Sequence, residues 1–114
     1  MKEYKKFDHV GKILFKEFME PHNLSQNTLA KSIGVASSRI TDIVNGRRGI
    51  TADTDLRLTR LFGLPDGYFL RLQDYIQTTI TKQKIRSELA EIVPLVKTTK
   101  TKRNKTSSGR GKRK

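Results

Sequence analysis

Between Ser25 and Gly46 the chain reads SQNTLAKSIGVASSRITDIVNG, and the spacing of its apolar residues admits few folds. Leu29, Ala30 and Ile33 recur at helical intervals. Gly34 then marks a tight turn of the kind that needs positive φ. Val35 follows, and Ile40, Ile43 and Val44 share one face of a second helix. Ser37, Ser38, Arg39, Thr41 and Asp42 are left on the outward face. Ala30 falls where the two helices cross closely, and a longer side chain would hold them apart. Such a pair matches a helix-turn-helix, whose second helix enters a DNA major groove and touches base edges. An ordinary αα-hairpin with a polar outer face is the alternative.

The flanking sequence extends this into an all-α unit. Leu14, Phe15, Phe18 and Met19 form a stripe on a first helix from Gly11 to Glu20, with Pro21 as its stop. Ser25 reads as the N-cap of the second helix, and the third spans Ser37 to Asn45-Gly46, with Gly46 as its left-handed terminator. After the basic loop Arg47-Arg48-Gly49-Ile50, Thr51 reads as the next N-cap. Asp53 and Asp55 fall in the first turn, where negative charge complements the helix dipole. Ala52, Leu56, Thr59 and Phe62 give the inward stripe of this fourth helix, and Gly63 closes it. Pro65 is placed to open a fifth helix, carried by Tyr68, Phe69, Leu72, Ile76 and Ile80. The reading is a flexible N-terminus (1–9), a five-helix domain (10–80), an extra C-terminal helix (81–96) and a disordered basic tail (97–114).

Charge is distributed unevenly. The 114 residues carry a formal charge of +13, and nine of the 24 basic residues, but no acid, lie between Lys97 and Lys114. Positions 1 to 96 are left at +4. A polyanionic partner follows, nucleic acid first. The tail has two readings: added phosphate contacts, with strongly salt-dependent binding, or a solubilising, ribosome-adhering extension. A tail-driven general RNA or nucleoid binder is a weaker third idea. Residues 97–114 contain no apolar side chain and are expected to be disordered alone. Ile85, Leu89, Ile92 and Val96 form an apolar stripe on a sixth helix from Lys82 to Val93. With Ile80, the residues Ile85, Leu89 and Ile92 are the candidate dimer or partner contact.

Catalysis finds no support. There is no cysteine, which excludes disulfides, thiolate metal sites and thiol nucleophiles. His9 and His22 are the only histidines, and both fall outside the packed motifs, where exposure is the expectation. No metal-ligand cluster or phosphate-cradling glycine loop appears, so no cofactor, no metal and no enzyme activity are expected. No apolar run approaches the ~20 residues of a membrane span, and the polar N-terminus lacks a signal-peptide pattern; a cytoplasmic protein is the default.

The run LSQNTLAKSIGVASSRITDIVNGRRGITADTDLRLTRLFGLPDGYFLRLQ resembles the HigA/VapI-type antitoxins within the Xre/Cro-like regulators. The specific part is RITDIVNGRRGITADTDLRLTRLFG followed by an aromatic helix ending LRLQ, and VGKILFKEFMEPHNLSQ matches the family's opening helix. The resemblance spans residues 10 to 93. It implies a lambda-repressor-like domain and an antitoxin that neutralises a HigB/RelE-like messenger-RNA-cleaving toxin. It also implies a homodimer that represses its own operon at an inverted-repeat operator. A stand-alone regulator without a toxin shares every residue of this argument. The chain departs from the family at Asp55 and Thr59, where alanine is usual, at Phe69, where tryptophan is usual, at Pro65-Asp66-Gly67, and in its basic tail.

Candidate DNA contacts follow from the outward face of the third helix. Ser37 and Ser38 can bond bases or phosphates. Arg39 can pair with guanine O6 and N7, worth about 1–3 kcal/mol of discrimination; a phosphate clamp or a surface ion pair is its other reading. Thr41 lies near the same face, and Asp42 is placed to orient Arg39 across an i, i+3 spacing. Asn45, Arg47 and Arg48 are phosphate candidates. Gln26 matches a phosphate-contacting position in the related repressors. In a two-fold dimer the paired helices would stand about 34–36 Å apart.

Overall fold

The computed structural model describes residues 8–96, which form helices and turns and no strand. The chain divides into a first unit ending at Lys84 and a second beginning at Ile85. The first holds α1 (Val10–Ile13), α2 (Gln26–Ile33), α3 (Ser37–Val44), α4 (Ala52–Phe62) and α5 (Tyr68–Lys84). The second holds α6 (Arg86–Ala90).

The opening helix departs from the simple rod its stripe predicts. After α1 the chain widens into a π-helical stretch, Leu14–Met19, in which the Glu20 N–H donates to the Phe15 carbonyl, and then tightens into a 3₁₀ turn, Glu20–His22. Pro21 does not stop this path. It occupies the first turn of the 3₁₀ segment, where its missing N–H and fixed φ are tolerated. Termination comes at Asn23, in the left-handed region at φ 54°, a conformation that asparagine tolerates better than most side chains.

The helix-turn-helix forms as the spacing requires. Ser25 accepts the Thr28 N–H at 3.1 Å and caps α2. Gly34 turns at φ 73°. Leu29, Ala30, Ile33, Ile40 and Ile43 are buried. They join Val10, Ile13, Leu14, Met19, Ile50, Leu58, Phe69, Leu72 and Ile76 in one core. Each large aliphatic or aromatic side chain so buried contributes about 1.5–3 kcal/mol. Phe69 is fully buried at the middle of an aromatic cluster, its ring 5.1 Å from Phe18 and 5.3 Å from Tyr68.

α1 packs against the end of α3 by backbone. A Cβ on Gly11 would fall 1.8 Å from the Ile43 carbonyl oxygen. His9, expected to be exposed in a loose N-terminus, instead lies against Gly46 with a side chain only 23% accessible. His22 is exposed; its Nδ1 donates to the Phe18 carbonyl at 2.8 Å. Residues 1–7 and the basic tail, 97–114, lie outside the described residues.

Further expectations are revised. The buried face of α4 is Thr54, Asp55, Leu58 and Thr59, while Ala52 and Leu56 face solvent. Of the expected stripe Thr59 is buried and Phe62 partly so; Thr54 and Asp55 were missed because such polar residues read as surface. Asp55 lies in the first turn of α4 as expected, but its side-chain hydrogen bonds go to another segment. It is wholly buried, and it accepts backbone N–H groups from Gly67 (2.7 Å), Phe69 (2.8 Å) and Leu70 (3.2 Å). Those donors are the unpaired ones at the start of α5. Pro65 consequently sits in the turn ahead of α5, its carbonyl accepting the Tyr68 N–H at 3.1 Å. Finally, no helix runs from Lys82 to Val93. Lys82 and Lys84 close α5, Ile85 leaves helical geometry at φ −108°, ψ 27°, and α6 has five residues.

Candidate nucleic-acid interface

The outward side of α2 and α3 is a network of polar side chains. Thr41 donates to Gln26 Oε1 at 2.6 Å, and Ser37 donates to Asn27 Oδ1 at 2.6 Å. Two hydroxyls of α3 are thus held by two amides of α2. Ser38 stands exposed between them. Both amides lie in the first turn of α2, so the pairs fix the two helices against each other on the face away from the core.

Arg39 points back to α4. Its Nη1 donates to Asp53 Oδ2 at 2.7 Å and to Thr54 Oγ1 at 3.2 Å. The same Asp53 oxygen accepts from Arg57 Nε at 3.0 Å. Arg57 in turn donates through Nη1 to the Ile33 carbonyl at 2.8 Å, closing the C-terminal end of α2. The Arg39 guanidinium, and after it that of Arg57, holds the Asp53 carboxyl below its ordinary value. Asp53 and Arg57 are solvent-exposed and Arg39 is partly so, so their mutual attraction adds little to stability; what it fixes is geometry.

Asp42 does not orient Arg39. Its carboxylate lies 3.3 Å from Arg47 Nη2 and 3.8 Å from Arg48 Nη2. Its backbone carbonyl also accepts the N–H groups of Arg47 and Arg48, at 2.8 and 3.2 Å. The residue predicted to position a base-reading arginine instead organises the basic loop after α3. Asn45 ends α3 with its N–H bonded to the Thr41 carbonyl, and Gly46 follows at φ 78°. The loop is pinned from behind by Gln73 of α5, whose amide accepts the Ile50 N–H at 2.7 Å and donates to the Ile50 carbonyl at 2.9 Å. An open groove of about 450 Å³ adjoins it, lined by Gly49, Leu70, Gln73, Asp74 and Gln77.

The structure thus gathers Gln26, Ser37, Ser38, Arg39, Thr41, Asp42, Asn45, Arg47 and Arg48 along α3 and its two ends. Sequence reasoning missed Asn27, Asp53, Arg57 and Gln73 as their supports. The i, i+4 spacing of Asp53 and Arg57 was a usable signal. The other pairs join residues ten or more positions apart and have no local signature. Of the residues assigned to a dimer or partner contact, Ile80, Leu89 and Ile92 are exposed and Ile85 is partly buried.

The paired helices, the glycine turn and the polar outer face define a helix-turn-helix protein. The helix-turn-helix family model matches residues 15–69. Virulence-associated protein I of Dichelobacter nodosus is 42% identical over 87 residues, covering 76% of this chain and 80% of that protein. The structure of Pseudomonas aeruginosa antitoxin HigA with the higBA promoter superposes with a TM-score of 0.69 at 31% identity, over 77% of this chain and 97% of the other. An addiction module antidote protein of the HigA family from Coxiella burnetii superposes at 0.69 with 38% identity, over 75% and 95%. This chain belongs to the HigA/VapI-type antitoxins of the helix-turn-helix family. That family is not one of enzymes. Among the described residues no helix is long and apolar enough to cross a membrane.

Proposed function

We propose that this chain is a cytoplasmic antitoxin and autorepressor. It binds duplex DNA at its own operator through α3 and the Arg47-Arg48 loop, and it neutralises a HigB/RelE-like toxin. The observation that carries the DNA part is the outward face of α3. Small hydroxyl side chains lie there, Arg39 stands beside them paired with Asp53, and two further arginines follow at its end. The HigA structure with promoter DNA supports it by the similarity of the whole domain. Ser37, Ser38, Arg39 and Thr41 contact bases or adjoining phosphates; Gln26, Asn45, Arg47 and Arg48 serve phosphates, which position the domain without reading sequence. Asp42 supports the loop.

A homodimer would place two copies of α3 at successive major grooves. The exposed apolar residues Ile80, Leu89 and Ile92, with Ile85, form its contact or that of the toxin. A regulator with no toxin remains the second reading, since other relatives carry only the name of helix-turn-helix transcriptional regulator. Footprinting of the full chain on DNA upstream of its own reading frame tests the repressor role, and a protected inverted repeat is expected. Protection no stronger than on unrelated DNA overturns it. Co-purification of the neighbouring gene product tests the toxin role; a neighbour that neither binds nor inhibits growth leaves the stand-alone regulator.

A further inference from the structure

We propose that Asp53 sets the sequence selectivity of this domain by holding Arg39 in one orientation. This deepens the DNA-contact role given to Arg39 above and rests on it. Both hydrogen bonds of Arg39 pass through one nitrogen, Nη1. A guanidinium is a rigid plane with donors on several edges. Engagement of Nη1 alone leaves the Nε–Nη2 edge without a partner among the described residues, and that edge can grip guanine O6 and N7 together.

Asp53 is itself fixed from the other side. The oxygen that receives Arg39 also receives Arg57, whose other end is tied to the Ile33 carbonyl at the end of α2, where the turn to α3 begins. Turn, α4 and α3 therefore share one acceptor. An untethered Arg39 would sample many rotamers and meet phosphates, which carry no sequence information. Ordering it at the moment of binding would also cost side-chain entropy. A carboxylate beside the DNA weakens binding to every sequence alike. Asp53 thus lowers general affinity while sharpening discrimination, which is how a repulsive element gives specificity. It is a positioning residue: it acts through Arg39 and need not touch DNA.

The test uses the full chain, a duplex that the wild type selects from a random-sequence pool, and a scrambled duplex of equal length. Asp53→Ala should cut the preference for the selected duplex by about tenfold, with affinity for the scrambled duplex unchanged or raised. Arg39→Ala should cost less in the Asp53→Ala background than in wild type. Asp53→Asn keeps an acceptor oxygen and should restore part of the preference; it carries the test if Asp53→Ala fails to melt cooperatively. Equal losses on both duplexes, or additive effects of the two substitutions, overturn the proposal while leaving the repressor reading intact. A wild type that selects no sequence overturns the repressor reading itself, and this proposal with it.

Discussion

The Asp55 carboxylate of α4 accepts the Phe69 N–H at 2.8 Å, although the two residues are fourteen positions apart. One side chain thereby fixes where α5 begins and seats the largest fully buried side chain of the core. Replacing Asp55 by alanine strands three N–H donors in or near the interior, each costing about 1–3 kcal/mol when unpaired. Water can reach the partly exposed Gly67 and Leu70. The expected loss is therefore about 3 kcal/mol, read as a lower urea midpoint at unchanged slope.

Gly11 and Gly63 should both lose stability on substitution by alanine, for different reasons and to different extents. A Cβ at Gly11 meets the Ile43 carbonyl at 1.8 Å, so the two helices must separate. Overpacking against backbone costs about 3 kcal/mol. Gly63 has φ +68°, yet nothing lies within 4 Å of an added Cβ; left-handed strain alone costs about 1 kcal/mol. Thermal melts of the two variants should therefore differ in order, Gly11→Ala being much the less stable.

Gln73→Leu removes both hydrogen bonds to Ile50 and frees the loop that carries Arg47 and Arg48. Two neutral hydrogen bonds of ordinary strength predict a loss of about 1–2 kcal/mol. The distinguishing readout is local: amide exchange at Ile50 should accelerate well beyond that of the buried amides of α3.

Asp53 should titrate below its ordinary value of 3.8, because the Arg39 guanidinium beside it, then Arg57, favours the charged form. A depressed folded value means the contribution is present above the unfolded value and is lost as pH falls through the folded one. No change near neutrality is expected from this group. Carboxyl-carbon NMR should show the low midpoint, and Arg39→Ala should move it upward. An unmoved midpoint would remove the ion pair from the solution structure.

Arg48→Ala should weaken binding to selected and scrambled duplexes by the same factor. Loss of one phosphate contact predicts a salt dependence shallower by about 0.9 in log–log slope. Arg39→Ala, in contrast, should penalise the selected duplex alone. Measured at two salt concentrations, the pair separates positioning contacts from base reading.

Local signals were legible where physics is local. The caps at Ser25 and Thr51, the glycine turns at Gly34, Gly46 and Gly63, and the buried faces of α2 and α3 all follow from neighbours within a turn or two. Three misreadings concern a polar residue whose partner lies outside its own helix. Asp55 looked like a dipole-complementing acid alone, yet it binds the N–H groups of Phe69 and Leu70 in the next helix and of Gly67 before it. Asp42 looked placed for Arg39 at i, i+3, but a helix-ending turn brings Arg47 and Arg48 back over it. Arg39 finds its acid in α4, which no helical periodicity encodes. The π-helical widening at Leu14–Met19 likewise left no mark that hydrophobic spacing can detect.

The seating of Gly11 on the Ile43 carbonyl separates mounting from reading. The helix proposed to meet the double helix is held by main-chain atoms at its rear, whereas its hydroxyls occupy the front. Substitution at the exposed Ser38 can change what the front offers without disturbing the backbone joint behind it. Lineages of such regulators can therefore change address while keeping their architecture.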